Sequence, residues 1–278
     1  QFAWTQLLVV LTGSVGSMAC VCADYAGELW EFDSTVGTAL AIAAIAVLTL
    51  VNVIGVVVGK RTQNLLTAAK AVGIAGIILA GFWAGDTTAV RQVVTNRPPE
   101  LGFALVMILY AYAGWSPAAY VAAEVREPQK NLPRALVLGV GLVTAVYLLI
   151  NLAFLLALGF DGVRTSSAPA AETLAAATGE WGSRTVTVMV ILSALGAING
   201  TLLAGAHVFA VLGEDYPRLT WLRTSQHGPW RLLRPLLLEG GIAMLLVLVV
   251  GTASGRATVD RLLESLTLPP PPWDSYFG

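Results

Sequence analysis

The sequence predicts an all-α polytopic membrane protein with about seven transmembrane helices. The chain of 278 residues is 56% hydrophobic and only 12% charged, where soluble domains carry about 25% charged residues. Seven apolar segments approach the roughly 20 residues that a helix needs to cross a bilayer. The fourth of them is interrupted halfway by Ala113-Gly114-Trp115-Ser116-Pro117, a cluster that suits a continuous helix poorly. Lipid is therefore the expected solvent for most of the chain. A net charge of −1 with no basic tract gives no support to nucleic-acid binding.

The first span, about 3–24, is dense in small residues: Thr12, Gly13, Ser14, Gly16 and Ser17. Such residues let helices approach closely. Cys20 and Cys22 are two apart on one helix, point to different sides and cannot easily pair. They read as apolar packing residues. The loop that follows carries Asp24, Glu28, Glu31 and Asp33 without a base. The second span covers about 38–59, and Lys60 and Arg61 mark its connection to the third, about 64–85. Lys70 lies about six residues into that third span. An ammonium at depth costs roughly 2.5–3.5 kcal/mol on insertion scales. Either its stem snorkels to the nearby span end, or it faces the bundle as a fixed cation or titrating group.

The fourth span, about 101–124, holds the break. Gly and Pro at mid-membrane depth free backbone groups that lipid cannot satisfy. Such breaks persist where protein or a wet cavity covers them, which is where transporters bind substrates. Tyr110 and Trp115 flank the break rather than sitting at a span end, as interfacial aromatics do. The half-helix after the break offers N–H groups and a favourable dipole to an anionic substrate group.

The fifth and sixth spans cover about 135–160 and 185–212. The sixth carries Ser193, Gly196, Gly200, Thr201 and Gly205, with Asn199 at mid-span. A polar amide there either bridges helices or lines a pathway. The seventh covers about 235–253, and Glu239, close to its start, reads as interfacial. Residues 1–255 are thus expected to form the membrane domain and 256–278 a polar, Pro-rich tail. The Pro269–Pro272 run is expected to have no packing of its own.

Charge placement sets the orientation. With alternating sides, one set of connections holds Lys60, Arg61, Arg126, Lys130, Arg134, Arg218, Arg223, Arg231 and Arg234. The other holds Arg91, Arg97, Arg164, Arg184, Arg256 and Arg261. The richer set is expected on the cytoplasmic side, with Gln1 cytoplasmic and the tail external. His207 and His227 have no metal-ligand spacing with cysteine or carboxylate. No paired carboxylates or nucleophile–base pair suggest an enzyme, and no metal or cofactor is expected.

The run LYAYAGWSPAAYVAAEVREPQKNLPRAL resembles the sixth span and following loop of amino acid permeases of the amino acid–polyamine–organocation superfamily. In the L-type-like branch this stretch often reads aromatic-A-Y-x-G-W, then E, then N-P-x-x-N-L-P-R-A; here Glu-Pro replaces Asn-Pro. GKRTQNLLTAAK looks like that branch's fourth-to-fifth connection, and SALGAINGTL like its eighth span. The resemblance covers about residues 3–255. It implies a LeuT-like fold of two inverted five-helix repeats, of which the seven spans would be numbers three to nine. With spans one, two and ten to twelve absent, and Gln rather than Met at position 1, the chain is expected to be a fragment of a permease.

The same resemblance implies roles. Tyr110 matches the aromatic gate of span six. Ala111, Ala113 and Gly114 match its unwound segment, with Ala113 standing where Gly is common, and Trp115 matches the aromatic after the break. Ser14, Gly16 and Ser17 would face the substrate from the third span. Lys70 matches a fifth-span Lys that stands where related transporters keep a sodium ion. Ser193 falls near the eighth-span position lining that site, and Asn199 joins them as a coupling-site candidate. His207 stands where the family often has Arg.

The implied function is transport of amino acids across a membrane by alternating access, with proton coupling and exchange both open. Neutral substrates are favoured, because Ala111 and the small first-span face leave room for an apolar side chain. The expected partners are an amino acid, the lipid bilayer and a proton. The expected location is the plasma (inner) membrane of a prokaryote. The rival is a seven-helix receptor or retinal-type photoreceptor with Lys70 as Schiff base. It suits the span number, but it lacks an intramembrane carboxylate counter-ion and does not explain the break.

Overall fold

The computed structural model describes residues 5–85, 101–112, 114, 125–223 and 232–265. Among them the chain is helical throughout, with no strand. After a π-helical turn at Gln6–Leu11, the helices are α1 (Thr12–Trp30), α2 (Ser34–Ile54), α3 (Val56–Ala84), α4 (Leu101–Ala111) and α5 (Pro128–Thr165). They continue as α6 (Pro169–Thr178), α7 (Glu180–Asp215), a 3₁₀ turn at Pro217–Leu222, α8 (Leu233–Gly251) and α9 (Ala253–Ser265). Six helices among the described residues are long and apolar enough to cross a membrane: Val9–Trp30, Ser34–Ile54, Val57–Ala84, Pro128–Thr165, Glu180–Asp215 and Leu233–Gly251. The fourth expected span is described as a helix only over Leu101–Ala111, and most of its remainder lies outside the described residues.

Two connections are much shorter than their charges suggest. Between α1 and α2 only residues 31–33 are non-helical. Glu31 closes α1 in the left-handed region (φ 47°) and its N–H donates to the Gly27 carbonyl. Asp33 opens α2 by accepting a 2.9 Å bond from the Val36 N–H, which satisfies one of the free donors at a helix start. Between α2 and α3 stands Gly55 alone, fully extended. Lys60 and Arg61 therefore lie in the first turns of α3 and not in a loop at residues 60–63. In the 38-residue helix α5, Gly159 adopts φ 71° and ψ 173°, a backbone that L side chains rarely take. This kink falls where the fifth span was expected to end, at residue 160.

The chain divides into two compact units: Gln1–Gln63 with Ala194–Gly278, and Asn64–Ser193. In the first, α1, α2 and α8 pack on one another and on the second half of α7. Buried positions on α1 recur at Thr12, Val15, Gly16, Ala19, Cys22, Ala23 and Ala26, the spacing of one helix face. Of these, Val15, Ala19 and Ala23 join Ile45 and Leu48 of α2, Ile198 and Leu202 of α7, and Leu236 and Ala243 of α8 in one core. Small residues set the helix separation. A Cβ on Gly16 would meet Val247 at 3.5 Å, and one on Gly240 would meet Thr49 Oγ1 at 2.5 Å.

In the second unit, Ile77 and Ala80 of α3 pack with Leu174 of α6 and Val186 of α7. A Cβ on Gly81 would lie 2.6 Å from that of Ala153 on α5. The helix α6, between the fifth and sixth spans, falls in a stretch expected to be loop. Its start combines Pro169 at the first turn with a Ser166 hydroxyl that accepts from the Ala168 N–H at 3.1 Å. The expected tail likewise begins as helix, since α9 extends to Ser265; Pro269–Pro272 lie outside the described residues.

Candidate functional site

The second unit holds Lys70. The helix α3 has 29 residues, Val56–Ala84, and Lys70 is its middle residue. Half of such a helix is about 21 Å long. The helix begins at Val56, with Lys60 and Arg61 on its first turns about 14 Å before Lys70. Lys70 is half-buried and makes no hydrogen bond or ion pair among the described residues. Facing it, α7 runs antiparallel: a Cβ on Gly73 would meet Met189 Sδ at 2.8 Å, and Ile77 shares a core with Val186. Continuing that register by one turn brings Lys70 level with Ser193, which is half-buried. The arrangement places a cation at mid-helix with a hydroxyl at the same height.

The second unit also carries the start of the expected break. The helix α4 ends at Ala111, after a last bond from the Tyr112 N–H to the Ile108 carbonyl at 3.1 Å. Ala111 and Gly114 are exposed, and a Cβ on Gly114 would meet nothing within 4 Å. Ala113, Trp115 and the stretch through Glu124 lie outside the described residues, as does the side chain of Tyr110. Tyr112, which sequence reasoning did not single out, is held against α5. Its hydroxyl donates to Thr144 Oγ1 at 2.9 Å, and its ring lies 5.9 Å from that of Tyr147.

The first unit holds Ser14, Gly16, Ser17 and Asn199. Ser14 and Ser17 are exposed on one flank of α1, and the Ser14 hydroxyl donates back to the Val10 carbonyl at 2.6 Å. Gly16 is buried against Val247 of α8, about 200° round the helix from Ser14. The three therefore do not share a face, because small residues in this span serve packing as well as exposure. Asn199 is fully buried. Its amide donates to the Gly59 carbonyl at 3.3 Å and to Gln63 Oε1 at 2.9 Å. Its oxygen accepts from Asn52 Nδ2 at 2.8 Å. Three helices, α2, α3 and α7, are tied through this one side chain.

Asn52, Thr49 and Glu239 were not read as site residues, yet all three are buried. Asn52 had a signal: like Asn199, it is an amide inside an apolar run. Glu239 was misplaced by position. The helix α8 starts at Leu233, and Glu239 lies six residues inside it, about 9 Å from the end, with no exposed surface. Its interfacial reading is therefore corrected: it is a core residue. Among the described residues no group of three or more His, Cys, Asp or Glu could hold a metal ion.

Comparison with known proteins agrees with this architecture. The family described as "Amino acid permease" matches residues 1–269. The serine/threonine exchanger SteT of Bacillus subtilis (strain 168) is 30% identical over 236 residues, covering 82% of this chain and 53% of that protein. The b(0,+)-type amino acid transporter 1 of Oryctolagus cuniculus is 32% identical over 228 residues, 77% of this chain and 46% of that protein. The large neutral amino acids transporter small subunit 2 of Homo sapiens is 31% identical over 189 residues, 61% of this chain and 33% of that protein. The chain spans about half the length, or less, of these relatives.

Proposed function

This chain belongs to the amino acid permease family, and we propose on that premise that it forms part of a transporter moving neutral amino acids across a membrane. It is an integral membrane protein, and the bilayer we assign to it is the plasma membrane of a prokaryote. The observation that carries the reading is the run Tyr110–Arg134 within a family match over residues 1–269. Relatives over that match are an exchanger and amino acid transporters by name.

In this reading no bond is made or broken. The backbone around Ala111, Ala113 and Gly114 meets the amino acid moiety of the substrate, with Tyr110 and Trp115 as its aromatic walls. Gly16 lies at the contact of α1 with α8, beside Val247. Lys70 provides a fixed positive charge level with Ser193, and its titration links transport to the proton. Asn199 keeps the helix ends around Gly59 in register while the site opens to either side. Whether transport runs as proton symport or as exchange follows from whether uptake needs a counter-substrate inside.

The test is uptake into proteoliposomes by the membrane protein that contains this chain, with radiolabelled neutral amino acids. Saturable uptake, inhibited by other neutral amino acids and altered in affinity or turnover by Tyr110→Ala, is expected. Uptake that is absent with every amino acid tried, in protein that inserts normally, overturns the reading.

A further inference from the structure

Glu239 lies in the apolar helix LRPLLLEGGIAMLLVLVVG and has no exposed surface. Among the described residues neither carboxyl oxygen has a hydrogen-bond partner. The fold has nevertheless made room for it. A Cβ on Gly205 of α7 would overlap the Glu239 carboxyl, so glycine at 205 is what lets the group sit between the two helices. About 100° round α8, a Cβ on the next residue, Gly240, would lie 2.5 Å from Thr49 Oγ1 of α2. Two helices thus close on α8 around the carboxyl and exclude water from it.

Among the described residues, no hydrogen bond brings a counter-charge to the carboxyl. Helix α2 carries no ionisable side chain. On α1 the titratable groups are Cys20, Cys22, Asp24, Tyr25 and Glu28, none of them cationic. On α7, His207 stands about 200° round the helix from Gly205 and turns Nδ1 to the Leu203 carbonyl, 2.6 Å away. Glu214 and Asp215 close that helix. The arginines bond backbone oxygens elsewhere: Arg223 to Gly213 and Glu214, Arg234 to Trp221, Arg256 to Val250. Arg218 lies on the 3₁₀ turn, and Asp260, Arg261 and Glu264 are on α9. Among the described residues none of these groups hydrogen-bonds to the Glu239 carboxyl. An ionised carboxylate here would lose its hydration and gain nothing in return.

We propose that Glu239 is a proton-binding site. In this arrangement of α2, α7 and α8 the carboxyl carries its proton. It passes that proton to water, leaving a carboxylate, only when α8 parts from Gly205 and water reaches the group. Proton exchange at Glu239 is thereby tied to the separation of α7 and α8. The inference goes beyond the transport reading and does not depend on it, since its readouts need no substrate.

The experiment is infrared difference spectroscopy on the purified protein in lipid nanodiscs, wild type against Glu239→Gln, at neutral pH. A carboxylic-acid C=O band present in the wild type, absent in the variant and shifted in D₂O is the expected result. A spectrum with only carboxylate bands assigned to Glu239 overturns the proposal. Sodium replaced by choline should leave the band unchanged; a band that appears only without sodium makes the occupant a metal cation and also overturns it. If the Gln variant misfolds, ¹³C-labelled glutamate with Glu239→Asp identifies the band by its displacement. Thermal unfolding supplies a second readout. The wild-type midpoint should fall as the pH rises, while that of Glu239→Gln stays level; parallel profiles count against the site.

Discussion

The helices α1 and α5 are both apolar and both long enough to cross a bilayer, yet they are used differently. In the first unit, α1 buries seven of its 19 residues in one stripe, and buried polar side chains tie the neighbouring helices together. In the second, α5 buries only Ala153 among 38 residues, and Lys70 stands at mid-helix without a partner among the described residues. The difference teaches what marks a buried face when lipid is the solvent. Hydrophobicity does not, since lipid tails are as apolar as leucine. Small residues and polar amides do: Gly16, Gly205, Gly240, Asn52 and Asn199 all lie at helix contacts in the first unit. The second unit has its own small contacts at Gly73 and Gly81, but its uncompensated polar group is left for chemistry.

The comparison can be broken in four ways. The largest effect is expected from Lys70→Met, which should abolish the pH dependence of uptake while leaving insertion and unfolding temperature unchanged. A pH profile like that of the wild type would remove the proton role from Lys70. Next comes Gly81→Ala, whose new Cβ falls 2.6 Å from that of Ala153 and 2.8 Å from its carbonyl oxygen. Overpacking of this kind costs about 1–3 kcal/mol, readable as a lowered unfolding midpoint in detergent. Asn199→Leu removes the bonds to the Gly59 carbonyl, Gln63 Oε1 and Asn52 Nδ2, the last of which keeps its bond to the Leu48 carbonyl, for a loss of about 1–2 kcal/mol, near the upper end for membrane hydrogen bonds. A loss no larger than that of a lipid-facing residue would show that these amides do not hold the first unit together. The smallest is Leu138→Ala on α5, 72% exposed, where a change within about 0.5 kcal/mol is expected. A large loss there would show that this face is covered.

Much of the fold was legible because its signals are local. About 20 apolar residues in a row and the run Tyr110–Arg134 each lie within one stretch of chain. The helix corner at Gly55 was not legible. Val56-Val57-Val58 continues the hydrophobic pattern, and the positive charges at Lys60 and Arg61 mimic a loop. The short helices α6 and α9 were missed because a hydropathy search passes over segments of 10 and 13 residues. In the candidate site, Lys70 was found by its cost in lipid, and the same reasoning would have caught Glu239 had its helix been given the right start.

The sequence alone determined that this chain is a bundle of membrane-length helices, which family it resembles, and which few residues are expensive in lipid. Composition and motif are properties of the chain before it folds. Only the tertiary structure decided which of those residues find a partner. Asn199 meets Asn52 and Gln63 across 147 and 136 positions of chain, and Gly205 makes space for Glu239. Such meetings depend on how close and in what register two helices pack, and that is set by glycines and alanines whose sequence signature is the same whether they face a neighbouring helix or lipid.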